Sequence, residues 1–89
     1  MKRARVRVAG VVQGVYFRAE ARDRARSLGI AGWVRNAADG SVEATFEGED
    51  ERVDGMIAWC RRGPRGARVD EVAVDWEQPR GEGGFRVVP

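Results

Sequence analysis

The sequence predicts an α+β domain, an antiparallel sheet with two helices on one of its faces. Three features carry that expectation. Apolar residues alternate with period two in four segments. In two other segments they recur at helical spacing, and those two come after the first and third strand segments. At 89 residues, the chain is expected to form one domain, 1–89, around a single two-layer core.

Residues 3–12 open the sheet, with Arg3, Arg5 and Arg7 alternating against Ala4, Val6 and Val8. Gly10 and Gly14 then signal a tight loop. From Phe17 the period changes, and Phe17, Ala21, Ala25 and Leu28 make one helical stripe that Gly29 ends. A second strand runs from about Ile30 to Ala37. Asp39-Gly40 is a hairpin signal, and Val42, Ala44 and Phe46 alternate along a third strand.

Glu49, Asp50 and Glu51 crowd the start of a second helix, where its dipole favours anions. Val53, Met56, Ile57 and Cys60 form its stripe, Arg61 and Arg62 fill its last turn, and Gly63-Pro64 stops it. A fourth strand spans Arg68 to Glu77, with Val72, Val74 and Trp76 on one side. Pro79 to Gly84 is a connector, and Phe85 to Val88 a short last strand.

The order β-α-β-β-α-β plus a short strand is the ferredoxin-like split βαβ arrangement. Its open face is expected to carry Arg3, Arg5, Arg7, Arg35, Glu43, Glu47, Glu71 and Asp75 as a solvated surface of cross-strand ion pairs. Trp33 and Trp76 are expected to pack or to lie on a sheet face.

Composition removes several function classes. Sixteen Lys+Arg against fourteen Asp+Glu leave a net charge of only +2. There is no His, so no His base, His metal ligand or Ser-His-Asp triad exists. Cys60 is the one cysteine, which excludes an internal disulfide and a Cys-pair metal site; its place on a helical stripe points to packing. No metal site is expected. No apolar run approaches the ~18 residues of a membrane helix, so no membrane partner and a cytoplasmic setting are expected.

Two places carry chemistry. The loop Gly10-Val11-Val12-Gln13-Gly14-Val15-Tyr16-Phe17-Arg18 joins the first strand to the first helix. Backbone N–H groups of such a loop and of the helix start can converge on an anion, with the guanidinium of Arg18 folded over them. It lacks the Gly-Lys-Ser/Thr ending of a nucleotide loop and the third glycine of the dinucleotide pattern. On these residues alone, an anion nest and a plain strand-to-helix turn both stand. Asn36, at the end of the second strand, reads by itself as a turn residue.

Two segments resemble the paired signatures of the acylphosphatase family. One is Gly10 to Arg18. The other is Gly32-Trp33-Val34-Arg35-Asn36, followed by Gly40, Val42 and Gly48 at the family's spacing. The likeness runs from end to end and is that of the stand-alone enzyme, although a similar domain opens some large hydrogenase-maturation proteins.

The resemblance implies a hydrolase of the carboxyl-phosphate bond of acyl phosphates. It implies that the backbone amides of Gln13, Gly14, Val15, Tyr16, Phe17 and Arg18, with the side chain of Arg18, bind the phosphoryl group. Asn36 would position the attacking water. No metal and no cofactor are implied, and the partner is a small-molecule acyl phosphate taken up by a monomer.

Two readings compete with hydrolysis. A nucleic-acid module of this fold would want aromatic residues on the central strands of its open face. Arg5, Arg7, Glu43 and Thr45 stand there instead, so no nucleic acid is expected. A regulatory domain that binds a small ligand without catalysis is the other. Finally, the last strand is expected to edge the sheet beside the second and to bring the carboxylate of Pro89 behind Arg18.

Overall fold

A computed structural model describes all 89 residues. The elements are β1 (Lys2–Val11), α1 (Phe17–Ser27), β2 (Ala31–Asn36), β3 (Val42–Gly48), α2 (Asp50–Arg62), β4 (Arg68–Glu77) and β5 (Phe85–Val87). Element ends differ from the sequence expectation by about one residue, because periodicity marks faces and not termini. The sheet runs β4-β1-β3-β2-β5. Its first four strands are antiparallel neighbours, and β5 adds a parallel strand at the β2 edge. The fold is the expected α+β sandwich, made mixed by that one short strand. No helix is long and apolar enough to cross a membrane.

The core lies between the sheet and both helices. Ala4, Val6, Val8, Val34, Val42, Ala44 and Phe46 face it from the sheet. Phe17, Ala21 and Ala25 cover it from α1, and Val53, Met56, Ile57 and Cys60 from α2. Phe17 and Trp59 join the two helices through tilted rings 5.0 Å apart. Burial pushes the Cys60 thiol up to about 12, so the thiolate is scarce at neutral pH and the residue packs as a small hydrophobe. Behind α1, the N–H of Gly29 bonds Arg26 O and that of Ile30 bonds Ala25 O, a paired stop that turns the chain directly into β2.

The pairing of β1 with β4 shifts register near the end of β1: Ala9 lies opposite Glu71 and Gly10 opposite Val69, which leaves Asp70 of β4 as the extra residue. A bulge of this kind bends the strand that carries it and increases the local twist. Gly10 sits at φ 135, and a Cβ there would lie 2.1 Å from Arg68 O. No other residue fits that approach.

The open face departs from a purely solvated surface at one end. Arg3 is 2% exposed and Glu47 1%. The connector after β4 folds over them, and the N–H groups of Arg80, Gly81 and Glu82 donate to the Glu47 carboxylate at 2.7–3.1 Å. Arg3 bonds Glu47 at 3.1 Å and Glu77 at 2.9 Å and lies 3.3 Å from Glu82. Strand alternation cannot foresee this lid of connector. Toward the other end the expected pairing holds: Glu43 accepts from Arg5 and Arg35 at 3.1 Å each. Trp33 lies against both guanidiniums. Trp76 is 56% exposed, with the Lys2 ammonium 4.6 Å from its ring centre. It ends the apolar side of β4 without entering the core.

Two outcomes are expected from this packing. Gly10→Ala destabilises the protein by about 3 kcal/mol or more, read from the urea midpoint, because backbone must move to admit one methyl. The second concerns acid. Burial raises the pKa of Glu47, but the Arg80 N–H, Arg3 and the N–H groups of Gly81 and Glu82 outweigh it and hold the carboxyl below its usual value. Such a group stabilises fully above its unfolded pKa, and that contribution fades as pH falls through the lower folded value. Glu47→Gln is expected to lose about 3 kcal/mol at pH 7 and to show a shallower fall in stability than the parent below about pH 4.5.

Candidate active site

The chain leaves β1 through Val12, which is buried, and enters α1 at Phe17. Between them the backbone twice turns left-handed, at Gly14 (φ 73) and Tyr16 (φ 62). Gly14 takes that conformation freely, whereas Tyr16 holds it against its own Cβ. Tyr16 then caps α1 with no side-chain bond, so the first-turn donors receive nothing from a capping residue. Successive left- and right-handed residues tilt neighbouring N–H groups toward one side.

None of the N–H groups from Gln13 to Arg18 bonds a protein acceptor. Four donors without partners are ordinary at a helix start; six in a row extend that orphan set back through the loop. The Arg18 side chain leaves the first turn of α1, is exposed, and makes neither ion pair nor hydrogen bond. The amides and the guanidinium are thus all donors, and all are uncommitted.

A cavity of about 480 Å³ opens at this corner. Gly14, Tyr16, Phe17, Arg18 and Asn36, all singled out from the sequence, line it together with Val12, Ala19, Arg22 and Val87. Gln13 and Val15 do not. Val15 packs against the core instead. Asn36 ends β2 opposite Val42, on the strand face that Val34 turns toward the helices. Its Oδ1 is buried and accepts no hydrogen bond. An unpaired buried acceptor beside an open cavity is suited to a small donor such as water. No three His, Cys, Asp or Glu side chains cluster where they could hold a metal ion.

Two features went unread in the sequence. The first is the Gln13 side chain. Its Nε2 donates to Ala37 O at 2.9 Å and to Ser41 O at 3.0 Å. It therefore ties the loop to the β2–β3 hairpin at the residue after Asn36. No local signal marks such a bond, which spans 24 residues. The hairpin is also braced from β1, where Arg7 Nε donates to Ser41 Oγ at 3.2 Å and a second nitrogen pairs with Asp39. Asp39 accepts from the Ser41 N–H and hydroxyl as a turn residue does. These Ser41 bonds, with Arg7, hold its carboxyl below the ordinary value. The second feature is Arg22, four residues after Arg18 and therefore on the same helix face.

β5 lies beside β2, as expected, with Val34 opposite Val87, and Val87 reaches the cavity. The last backbone bond of the chain is from the Val88 N–H to Val34 O at 2.9 Å, and Pro89 follows it, exposed.

The sequence profile of the family described as Acylphosphatase matches residues 4–87. A curated acylphosphatase of Roseiflexus sp. (strain RS-1) is 55% identical over 89 residues, covering 99% of this chain and 96% of that protein. Among solved structures, an acylphosphatase from Bacillus subtilis superposes with a TM-score of 0.95 at 31% identity, and all of each chain is covered. One from Coxiella burnetii gives 0.93 at 34% identity, covering 98% of this chain and 92% of that one. With the profile spanning residues 4–87 and relatives matched over 92–100% of their lengths, the chain belongs to the acylphosphatase family.

Proposed function

We propose that this protein hydrolyses acyl phosphates by direct attack of a water held by Asn36 on a phosphoryl group bound by Arg18 and the amides of Gln13 to Arg18. The observation that carries this reading is the run of unbonded N–H groups beside an unpaired guanidinium, in a cavity shared with an unpaired amide oxygen. Donors alone favour an anion, and donors that converge favour a compact one with several oxygens.

These parts divide the chemistry between them. The loop amides and Arg18 take the phosphoryl oxygens and stabilise the charge they carry in the transition state. Asn36 Oδ1 accepts a hydrogen bond from the water and fixes it for in-line approach, which removes the entropy of a bimolecular encounter. The water oxygen bonds phosphorus as the bond from phosphorus to the acyl oxygen breaks. The electron pair leaves with the carboxylate, and the water's proton passes to a phosphoryl oxygen. A carboxylate departs without protonation, so no general acid is required. No neutral-range base lies among the cavity side chains, which suits proton acceptance by the substrate itself.

In this reading neither metal nor cofactor takes part, and the protein acts as a monomer. A cytoplasmic setting suits its single free cysteine.

Benzoyl phosphate hydrolysis tests the reading directly. The parent protein is expected to release inorganic phosphate, and to do so undiminished in EDTA; loss of activity restored by Mg²⁺ contradicts the metal-free scheme. Arg18→Gln should raise KM and lower kcat together, and Arg18→Lys should restore little, because an ammonium cannot reproduce the guanidinium fork. Asn36→Ala should lower kcat by about 10²–10³ with KM almost unchanged, since its bond matters only as the reaction proceeds. Near-parental kcat in a folded Asn36→Ala protein would return Asn36 to the role of a turn residue.

A further inference from the structure

Four charged or polar side chains line the cavity: Arg18, Asn36, Arg22 and the largely exposed Tyr16. The proposed reaction employs the first two. Arg22 stands one helical turn beyond Arg18, about 6 Å farther along α1, on the side away from the loop amides. The cavity, at about 480 Å³, lies within the range of small-molecule sites and exceeds what one phosphoryl group fills. The rest of it must receive the acyl part of the substrate, and Arg22 borders that part.

The electrostatics of this second region are one-sided. No Asp or Glu side chain lines the cavity. Arg22 has one partner, Asp23, at 3.1 Å, and the Asp23 carboxylate is 68% exposed. Neighbours in sequence do not face each other on a helix, and so exposed a pair holds its members weakly. The guanidinium is free to exchange Asp23 for a ligand anion, with which it can form two parallel bonds. The flanking walls, Ala19, Phe17 and Val87, offer no competing polar group.

We infer that Arg22 selects acyl phosphates that carry a second anionic group on the acyl chain, a few atoms beyond the carboxyl carbon. The inference rests on the proposed hydrolysis, in which the phosphoryl group occupies the loop and Arg18. With that end fixed, a terminal carboxylate or phosphate of a short acyl chain falls at Arg22, whereas an uncharged acyl group leaves it in water with Asp23.

The test compares succinyl phosphate, whose acyl chain ends in a carboxylate, with benzoyl phosphate, whose acyl part is uncharged. The readout is the ratio of their kcat/KM values, which cancels any common effect on folding or on the phosphoryl site. The ratio is expected to fall about tenfold in Arg22→Gln, the scale of one charge-assisted bond, and further in Arg22→Glu, chiefly through KM for succinyl phosphate. Arg22→Lys should keep part of the preference, because charge remains while the fork is lost. A ratio unchanged within about twofold in both the Gln and Glu variants overturns the inference and leaves the hydrolytic reading intact. If the parent hydrolyses neither substrate, both fall together.

Discussion

The corner where β1 gives way to α1 depends on one backbone constraint. Six consecutive N–H groups, from Gln13 to Arg18, bond no carbonyl of the chain, and the backbone between them is left-handed at Gly14 and Tyr16. Unbonded amides are tolerable at a surface because water satisfies them, but they confer no order. The loop has to be held by something other than its own hydrogen bonds. Much of the surrounding structure can be understood as that support: the bulge opposite Gly10, Val12 and Phe17 buried on either side, and Gln13 reaching across to the hairpin.

The Gln13 bonds link two requirements that arise far apart in the sequence. An anion cradle is useless for hydrolysis unless the water is placed on the correct side of the phosphorus. The cradle belongs to the β1–α1 loop and Asn36 to the end of β2, with β3 between their strands in the sheet. A single side-chain amide donating to Ala37 and Ser41 fixes the separation of these parts directly, without relying on the whole sheet to transmit it. Arg7 and Asp39 stiffen the same hairpin from the open face. The hairpin is thus held by side chains from both the loop and β1, which is the kind of support that a site built partly on loops requires.

What the sequence disclosed and what it withheld divide along a physical line. Strands and helices were legible because each is a local pattern, period two or period 3.6, whereas the two signature segments were legible through their resemblance to the acylphosphatase family, since on the residues alone the loop could be a plain turn and Asn36 a turn residue. Arg18 and Asn36 reach one cavity because the split βαβ order puts the β1–α1 loop and the end of β2 at the same end of the sheet. The burial of Arg3 and Glu47 was not legible, since alternation assigns a face and cannot say whether a distant connector will cover it. The Gln13 bonds and the part of Arg22 in the cavity were missed for the same reason: both are relations between elements. The edge position of β5 beside β2 was legible from the element order.

Charge is distributed according to the same division of labour. On the open face, cations are neutralised in place: Glu43 bridges Arg5 and Arg35, Asp39 takes Arg7, and Glu47 with Glu77 and Glu82 surrounds Arg3. Glu43 lies below its usual pKa through Arg5, against its own burial and with help from Arg35, so these pairs stay ionised across the neutral range. At the cavity the arrangement is the opposite. No Asp or Glu lines it, Arg18 is unpaired, and Arg22 is held only by an exposed neighbour. The net charge of +2 conceals this contrast, because it averages a neutralised face with an uncompensated corner. At the start of α1 the loop amides, the helix dipole and two guanidiniums all offer positive charge to a small anion. The paired face stabilises the scaffold without competing for the ligand.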